Sequence, residues 1–357
     1  MGFKCGIIGL PNVGKSTLFN ILTTSQIPAK NFPFCTIKPN IGMAAVFDDR
    51  LNSLSKLLCS KNIVTTYMEF VDIAGLVKGA SKGLGLGNRF LNHIRNTDVI
   101  IHVVRCFNDD SIIHVNNKID PIHDISVINM ELILSDLNLC QLELLKLKNN
   151  KKILNKKIKI LEFCLNHLEN GNMIKTLNLT SEDLILIREY NFITLKPIMY
   201  IANISNNIEN NESLKKMLDF VCQENNSCIP IRIFEESKKP YLKLHNCNNV
   251  NLVKNKESKI NDIIQYGYKL LKLQTFFTAG KKEIRAWTIK IGTTSIEAAK
   301  KIHTDFYKGF IRAQVVSYTD FIKNYKNNSL KSSGKIRSEG KKYIVQDGDI
   351  IQFLFKI

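Results

Sequence analysis

Several things are scarce in this chain, and each scarcity removes a class of protein. The 357 residues include a single tryptophan and eight prolines. The nine cysteines are odd in number, scattered, and contain no Cys-x-x-Cys pair. That excludes a zinc ribbon and a disulfide framework, and it points to a reducing compartment, the cytoplasm. No apolar run is long enough to predict a bilayer span, and no basic start precedes an apolar signal core, so no membrane is expected. Gly6 stands where N-myristoylation wants Ser or Thr. Acidic residues are the minority: 32 Asp and Glu against 50 Lys and Arg, a formal charge of +18. Such an excess attracts polyanions, nucleic acid or the ribosome more naturally than small acidic metabolites. A coding bias toward Asn, Lys and Ile is the competing origin of that excess. No internal repeat is present.

What is there begins at Gly9-Leu10-Pro11-Asn12-Val13-Gly14-Lys15-Ser16. Two glycines four residues apart, followed by Lys-Ser, fit a phosphate-binding loop. The flanks fit too. Lys4 to Ile8 reads as a buried strand and Ser16 to Thr24 as a helix. Backbone N–H groups of such a turn and the positive end of the helix converge on one point and hold polyphosphate. The loop residues Asn12, Val13, Gly14, Lys15, Ser16 and Thr17 form the cradle. Lys15 reaches the β- and γ-phosphates, and the Ser16 hydroxyl ligates Mg2+. Asn12 is placed either to recruit K+ near the phosphates or simply to cap the loop.

Strands and helices alternate to about residue 124, as in a doubly wound sheet. Thr66 to Val71, Val99 to Val104 and, much later, Met199 to Ala202 read as strands. The expected nucleotide-binding domain therefore comprises residues 1–125 and 197–272, interrupted by a helical insertion, 126–196. In the insertion Met130, Ile133, Leu137, Cys140, Leu144 and Leu147 share one heptad frame, which Leu154, Ile158, Leu161, Leu165 and Leu168 continue. Two antiparallel helices with a tip near Asn149-Asn150 are predicted; one long dimerising helix is the alternative. Lysines crowd the tip, among them Lys146, Lys148, Lys151, Lys152, Lys156, Lys157 and Lys159. They form either a solvated face or an arm for rRNA phosphates. Residues 273–357 read as a compact α+β module. Trp287, Ile289 and Ile291 alternate as a strand, and Ile296, Ala299, Ile302 and Phe306 share one helix face. Lys341 to Phe355 reads as a hairpin turning at Asp347-Gly348-Asp349.

A nucleoside triphosphatase needs further parts. Asp72-Ile73-Ala74-Gly75 follows a strand, so the Asp72 carboxylate supports Mg2+ and the Gly75 N–H meets the γ-phosphate. Thr36, in a Pro-flanked loop, offers a hydroxyl that closes over the metal. Leu76 stands where Ras-like enzymes place the water-orienting Gln, so unaided hydrolysis should be slow. Guanine recognition needs a carboxylate at the fourth place of Asn-Lys-x-Asp. Here the strand leads into Asn203-Ile204-Ser205-Asn206, and strong guanine selection loses its physical cause. Gly79, Gly83, Gly85 and Gly87 suit a second loop that moves with nucleotide state.

These pieces resemble the YchF/Obg-like ATPases, a branch of the translation-factor GTPases. The resemblance rests on MGFKCGIIGLPNVGKSTLFN, NFPFCTIKPN, EFVDIAGLVKGASKGLGLGN, HVVRCF, LQTFFTAGKKEIRAWTI, KIHTDFYKGFIRAQ and IVQDGDIIQFLF, spread over nearly the whole length. It implies an α/β P-loop domain with an inserted helical coiled-coil hairpin and a C-terminal β-grasp module called TGS. It implies Mg2+-dependent hydrolysis of ATP in preference to GTP and association with the ribosome; a cytoplasmic monomer that meets the large subunit and rRNA is the expectation. Asn203 and Ile204 match the positions that contact the base, although Asn206 departs from the family's acidic residue. His114 matches the histidine held to position the attacking water, and Cys35 a cysteine controlled through thioredoxin. The alternative to an enzyme is a ribosome- or RNA-binding module whose nucleotide is structural.

Overall fold

The computed structural model describes residues 3–24, 41–72, 86–107, 119–148, 155–205, 212–238, 259–325 and 334–356. The order along the first three-quarters is β1 (Phe3–Ile8), α1 (Lys15–Thr24), β2 (Ile41–Val46), α2 (Asp49–Leu58), β3 (Asn62–Val64), β4 (Thr66–Asp72), α3 (Leu86–Arg95) and β5 (Val99–Arg105). There follow α4 (Pro121–Lys148), α5 (Asn155–Glu169), α6 (Ser181–Ile187), β6 (Ile198–Asn203), α7 (Glu212–Gln223), β7 (Ser227–Ile231), α8 (Ile233–Lys238) and α9 (Lys259–Leu270). Six strands form one sheet in the order β2-β4-β1-β5-β6-β7. All neighbours run parallel except β2, which pairs antiparallel with β4 at the edge. β5 is buried along its entire length, which is why it reads as an unbroken apolar run: helices cover both faces of a parallel sheet.

The insertion is an antiparallel pair, α4 against α5, with Cys140, Leu144, Leu161, Cys164 and Leu168 buried in the seam. It starts earlier than residue 126. Pro121 is the first helical residue, and the Asp120 carboxylate accepts the His123 N–H at 3.1 Å. An Asx cap followed by proline is a start signal that heptad counting overlooks. Met130, expected in the seam, is 48% exposed. α4 is long and apolar enough to cross a bilayer by length and composition. Here Ile125, Ile128 and Leu132 are buried in the same core as the parallel sheet. Beyond α5 the chain forms short pieces rather than one more heptad helix. Thr180 and Asp183 close a capping box on α6, and single 3-10 turns occupy Ile174–Thr176, Arg188–Tyr190 and Ile193–Leu195.

The insertion is fastened by Asp136. Its carboxylate is fully buried and accepts from the Arg95 guanidinium (2.9 Å), the Thr194 N–H (2.7 Å) and the Thr194 hydroxyl (2.8 Å). Arg95 also donates to the Ser135 hydroxyl at 2.9 Å. The end of α3, the middle of α4 and the returning segment meet at that single ion.

The C-terminal module contains β8 (Leu273–Ala279), β9 (Glu283–Lys290), α10 (Ser295–Ile302), α11 (Thr304–Lys308), β10 (Phe310–Ser317), α12 (Tyr318–Tyr325), β11 (Arg337–Glu339) and β12 (Asp349–Phe355). Its sheet order is β11-β10-β12-β8-β9-β3, a mixed sheet of the expected β-grasp kind. The outermost strand, β3, comes from the first hundred residues and lies parallel to β9, Ile63 beside Ile284. α2 follows it. Adjacent residues of β8 face opposite sides: Phe276 packs with Ala298 and Ala299 of α10, Phe277 with Leu51, Leu54 and Leu58 of α2. Arg50 at the start of α2 pairs with Asp48 and Asp347, both at 2.7 Å, and lies over the Phe277 ring.

Two local expectations differ from what forms here. Residues 341–346 make no hairpin with β12; the Asp349 carboxylate accepts from the Gln346 N–H and the Tyr343 hydroxyl, which closes the turn by side chain. β12 pairs instead with β10 and β8, while Val345 N–H donates to Thr293 C=O. The helix carrying Ile296 to Phe306 is broken at His303, whose extended backbone and Nδ1 cap α11.

Candidate functional site

The site is built at the C-terminal ends of β1, β4, β5 and β6, where a doubly wound sheet opens. The loop after β1 needs both of its glycines, for different reasons. A Cβ on Gly9 would fall 2.4 Å from the Val103 carbonyl oxygen of β5. Gly14 has φ +100°, and a Cβ there would fall 2.8 Å from the Asn203 side-chain nitrogen. Asn12, at φ 61°, is the loop's non-glycine in the left-handed region. α1 then begins at Lys15, and the Leu18 N–H closes the first helical bond, to Gly14 C=O at 2.9 Å. Helix geometry leaves the amides of Lys15, Ser16 and Thr17 with no helical acceptor, aimed into the loop. Ser16 and Thr17 are exposed, whereas Val13 is buried.

Lys15 is 6% exposed, and its ammonium donates to the Leu10 carbonyl at 2.5 Å. Burial pushes its pKa down to about 8, while the Asp72 carboxylate pulls the other way. Asp72 ends β4 beside Ile7 of β1. Its Oδ1 is buried and has no hydrogen-bond partner among the described residues. A buried carboxylate oxygen without a donor is costly unless a cation faces it. The phosphate lysine and the metal-side carboxylate thus attract each other, but among the described residues they form no ion pair and Asp72 Oδ1 keeps an open acceptor.

Asn203 ends β6 and is 7% exposed. Its amide donates to the Val13 carbonyl at 3.0 Å and accepts from the Ile233 N–H at 3.3 Å. The side chain ties the phosphate loop to the start of α8, and one N–H and one lone pair remain for a ligand. The neighbouring Ile204 is buried, with its N–H donated to Ile231 C=O. Thr36, Gly75 and His114 lie outside the described residues, as do Cys35, Leu76 and Asn206.

Three residues of the HVVRCF stretch, His102, Arg105 and Phe107, have no role that the sequence assigns. Arg105 is 1% exposed at the end of β5, donates to Phe107 C=O at 3.1 Å and lies 4.7 Å from the Phe107 ring centre. Cys106 N–H donates to Asn203 C=O, which sets Phe107 beside the base-side strand end. His102 lies inside β5 next to Ile8, against Tyr200. Burial, then Lys15 and Lys175, depress its pKa to about 3, so it is neutral and serves packing. Arg105 stands in the HVVRCF stretch as a charge ending an apolar run, with nothing local to announce its contacts.

At the insertion's tip, Lys146 pairs with Glu143, Lys148 with Glu162, Lys156 with Glu182 and Lys157 with Glu189. Those four lysines are at least partly neutralised; Lys151 and Lys152 lie outside the described residues.

Comparison with known proteins agrees over the full length. A family model described as 50S ribosome-binding GTPase matches residues 4–136, and the YchF-GTPase_C model, described as a protein of unknown function, matches residues 273–356. The chain is 52% identical over 370 residues to the "Ribosome-binding ATPase YchF" of Buchnera aphidicola subsp. Acyrthosiphon pisum, covering 100% of both. It is 50% identical over 371 residues to the protein of that name from Escherichia coli O157:H7, again covering 100% of both. The solved Schizosaccharomyces pombe YchF GTPase superposes with a TM-score of 0.84 at 32% identity, covering 99% of this chain and 98% of that one.

Proposed function

The chain belongs to the YchF family, and from that premise we propose that it is a Mg2+-dependent nucleoside triphosphatase that prefers ATP and acts as a ribosome-associated switch in the cytoplasm, in translation or stress response. The observation that carries this is the meeting of a buried Lys15, its pKa lowered to about 8, with the unpartnered Asp72 oxygen under a helix N-terminus. A triphosphate would face the Lys15 ammonium, and Mg2+ the open Asp72 oxygen. Asp72 and Ser16 fit the metal: one presents a buried oxygen without a donor, the other an exposed hydroxyl. Thr36 would complete that set, and K+ beside Asn12 would add to it. The metal, when bound, neutralises charge on the β- and γ-phosphates.

Within the protein, Lys15 and the loop amides bind and orient the phosphates, and the Gly75 N–H is assigned to the γ-phosphate. His114 is assigned the positioning of the attacking water, a role Leu76 cannot fill. ATP preference rests on the absence of a carboxylate in Asn203-Ile204-Ser205-Asn206. Ile204 and the Phe107 ring, on adjacent strand ends, suit the flat faces of a base without selecting guanine. The names of the relatives support a ribosomal partner; the large subunit as the docking side, a monomeric state and thioredoxin control through Cys35 belong to the same proposal. Leu76 favours the second reading, a ribosome-binding module that rarely turns its nucleotide over.

The test is steady-state turnover with and without ribosomes, alongside calorimetric affinities for ATP and GTP. ATP should bind more tightly than GTP, and His114→Ala should lower kcat with little change in ATP affinity. A strong GTP preference would refute the base-pocket reasoning. Unchanged turnover in His114→Ala would remove that residue's role.

A further inference from the structure

A second cleft opens at the opposite end of the parallel sheet, where α3 ends and β5 and β6 begin. It has a volume of about 480 Å3. Three parts of the fold build it. Arg95 and Asp98 come from the nucleotide-binding domain's edge, Arg188 and Lys196 from the insertion, and Lys290 from the C-terminal module. Nothing in the nucleotide site uses these residues.

The charges on its wall do not cancel. The Arg95 guanidinium is matched by the buried Asp136 behind it. Lys196 is half-buried, and its ammonium donates to two backbone carbonyls, Arg95 (2.9 Å) and Thr97. A lysine carries three N–H donors; among the described residues one is left over, and no carboxylate forms an ion pair with it. Arg188 and Lys290 are exposed, and their side chains make no ion pair or hydrogen bond among the described residues. Against these three cations stands one wall carboxylate, Asp98, which already accepts the Lys4 N–H at 2.9 Å. The local excess is therefore two positive charges. The remaining wall mixes neutral polar residues, Asn96, Thr97 and Asn191, with an apolar strip in which Ile187 and Phe192 are buried and Leu184 is exposed.

We propose that this cleft binds a small phosphorylated ligand of mononucleotide size, its phosphomonoester dianion held by Lys196, Arg188 and Lys290 and its organic body laid on Leu184, Ile187 and Phe192. A dianion matches the excess charge. A cleft of this volume exceeds what bare phosphate fills and falls in the range of small-ligand sites. Charge-assisted bonds from Arg and Lys are the strong class for phosphate. Because Arg188 and Lys196 belong to the insertion and Lys290 to the C-terminal module, the ligand would pin those two parts together beside the Arg95–Asp98 edge of the nucleotide-binding domain.

The test uses the full chain with its phosphate loop saturated by Mg2+ and a non-hydrolysable ATP analogue. AMP is titrated by calorimetry at low salt, with adenosine and a short single-stranded RNA as parallel titrants. AMP should bind saturably and adenosine should not. Arg188→Ala combined with Lys290→Ala should weaken AMP binding at least about tenfold and leave the ATP analogue's affinity unchanged. Both residues are exposed, so the variant keeps its fold. No saturation by about 10 mM AMP, equal binding of adenosine, or AMP binding untouched by the double substitution would each overturn the proposal. Binding of the RNA alone would overturn it too, in favour of a nucleic-acid contact.

Discussion

Nucleotide affinity should depend on pH through Lys15. In the free protein its ammonium is nearly out of water and titrates near pH 8, against an ordinary value of 10.5. A triphosphate at the loop restores the charged form, so the bound value returns to at least the ordinary one. The sign follows. Below pH 8 the lysine is protonated in both states, and affinity is flat. Above pH 8 binding must take up a proton, and affinity falls as pH rises. The protonated fraction drops from about nine-tenths at pH 7 to about one-tenth at pH 9, so the apparent Kd should rise about tenfold, or about 1.4 kcal/mol. At pH 8 about half a proton should be absorbed per nucleotide. Calorimetry in two buffers of different ionisation enthalpy measures that uptake directly. Mg2+-bound triphosphate has lost its last proton well below this range, so it adds nothing. The same shift makes the free protein's stability rise between pH 8 and 10.5, because folding no longer buries an ammonium. A Kd constant from pH 7 to 9, with no proton uptake, would refute the placement of Lys15 as a desolvated cation awaiting an anion.

Other outcomes are as definite. The folded protein keeps His102 neutral down to about pH 3, whereas the unfolded chain protonates it near 6.5, so stability present above pH 6.5 is lost as pH falls; about 2 kcal/mol should be gone at pH 5, and His102→Gln should remove that component of acid unfolding. Arg95→Ala strands the buried Asp136 charge and should cost about 3–5 kcal/mol in denaturant titrations. Asn203→Ala frees both the Val13 carbonyl and the Ile233 amide; ATP affinity measured by calorimetry should fall about tenfold while the melting temperature drops by only a few degrees. Asp72→Asn should flatten the Mg2+ dependence of ATP affinity, and an unaltered Mg2+ titration would count against the metal assignment.

Much of the nucleotide site was legible because its demands are local. Gly9 and Gly14 are forced by contacts and a positive φ within one loop, and β5 announces itself as an unbroken apolar run. The start of α4 was also written locally, in Asp120-Pro121, but heptad spacing drew attention further along. What escaped depends on distant partners. Residues 341–346 alternate like a strand, yet Asp349 closes their turn and Thr293 takes their backbone bond, so no local pattern announces the outcome. Asn203 could be recognised as a base-side residue, but its tether to Val13 needs two strands brought together in space. The cationic cleft is less visible still, since Arg95, Arg188 and Lys290 are separated by about a hundred residues each.

The seam between the two ends of the protein runs elsewhere than a sequence boundary near residue 272 suggests. α2 roofs one face of the C-terminal sheet, and β3 supplies its last rung. A chain severed before β8 would yield two unfinished halves. One would keep a greasy helix with nothing to sit on; the other would present Ile284 and a bare strand edge to solvent, an invitation to self-association. In any rearrangement of the protein, this lobe would travel with the stretch that follows β2.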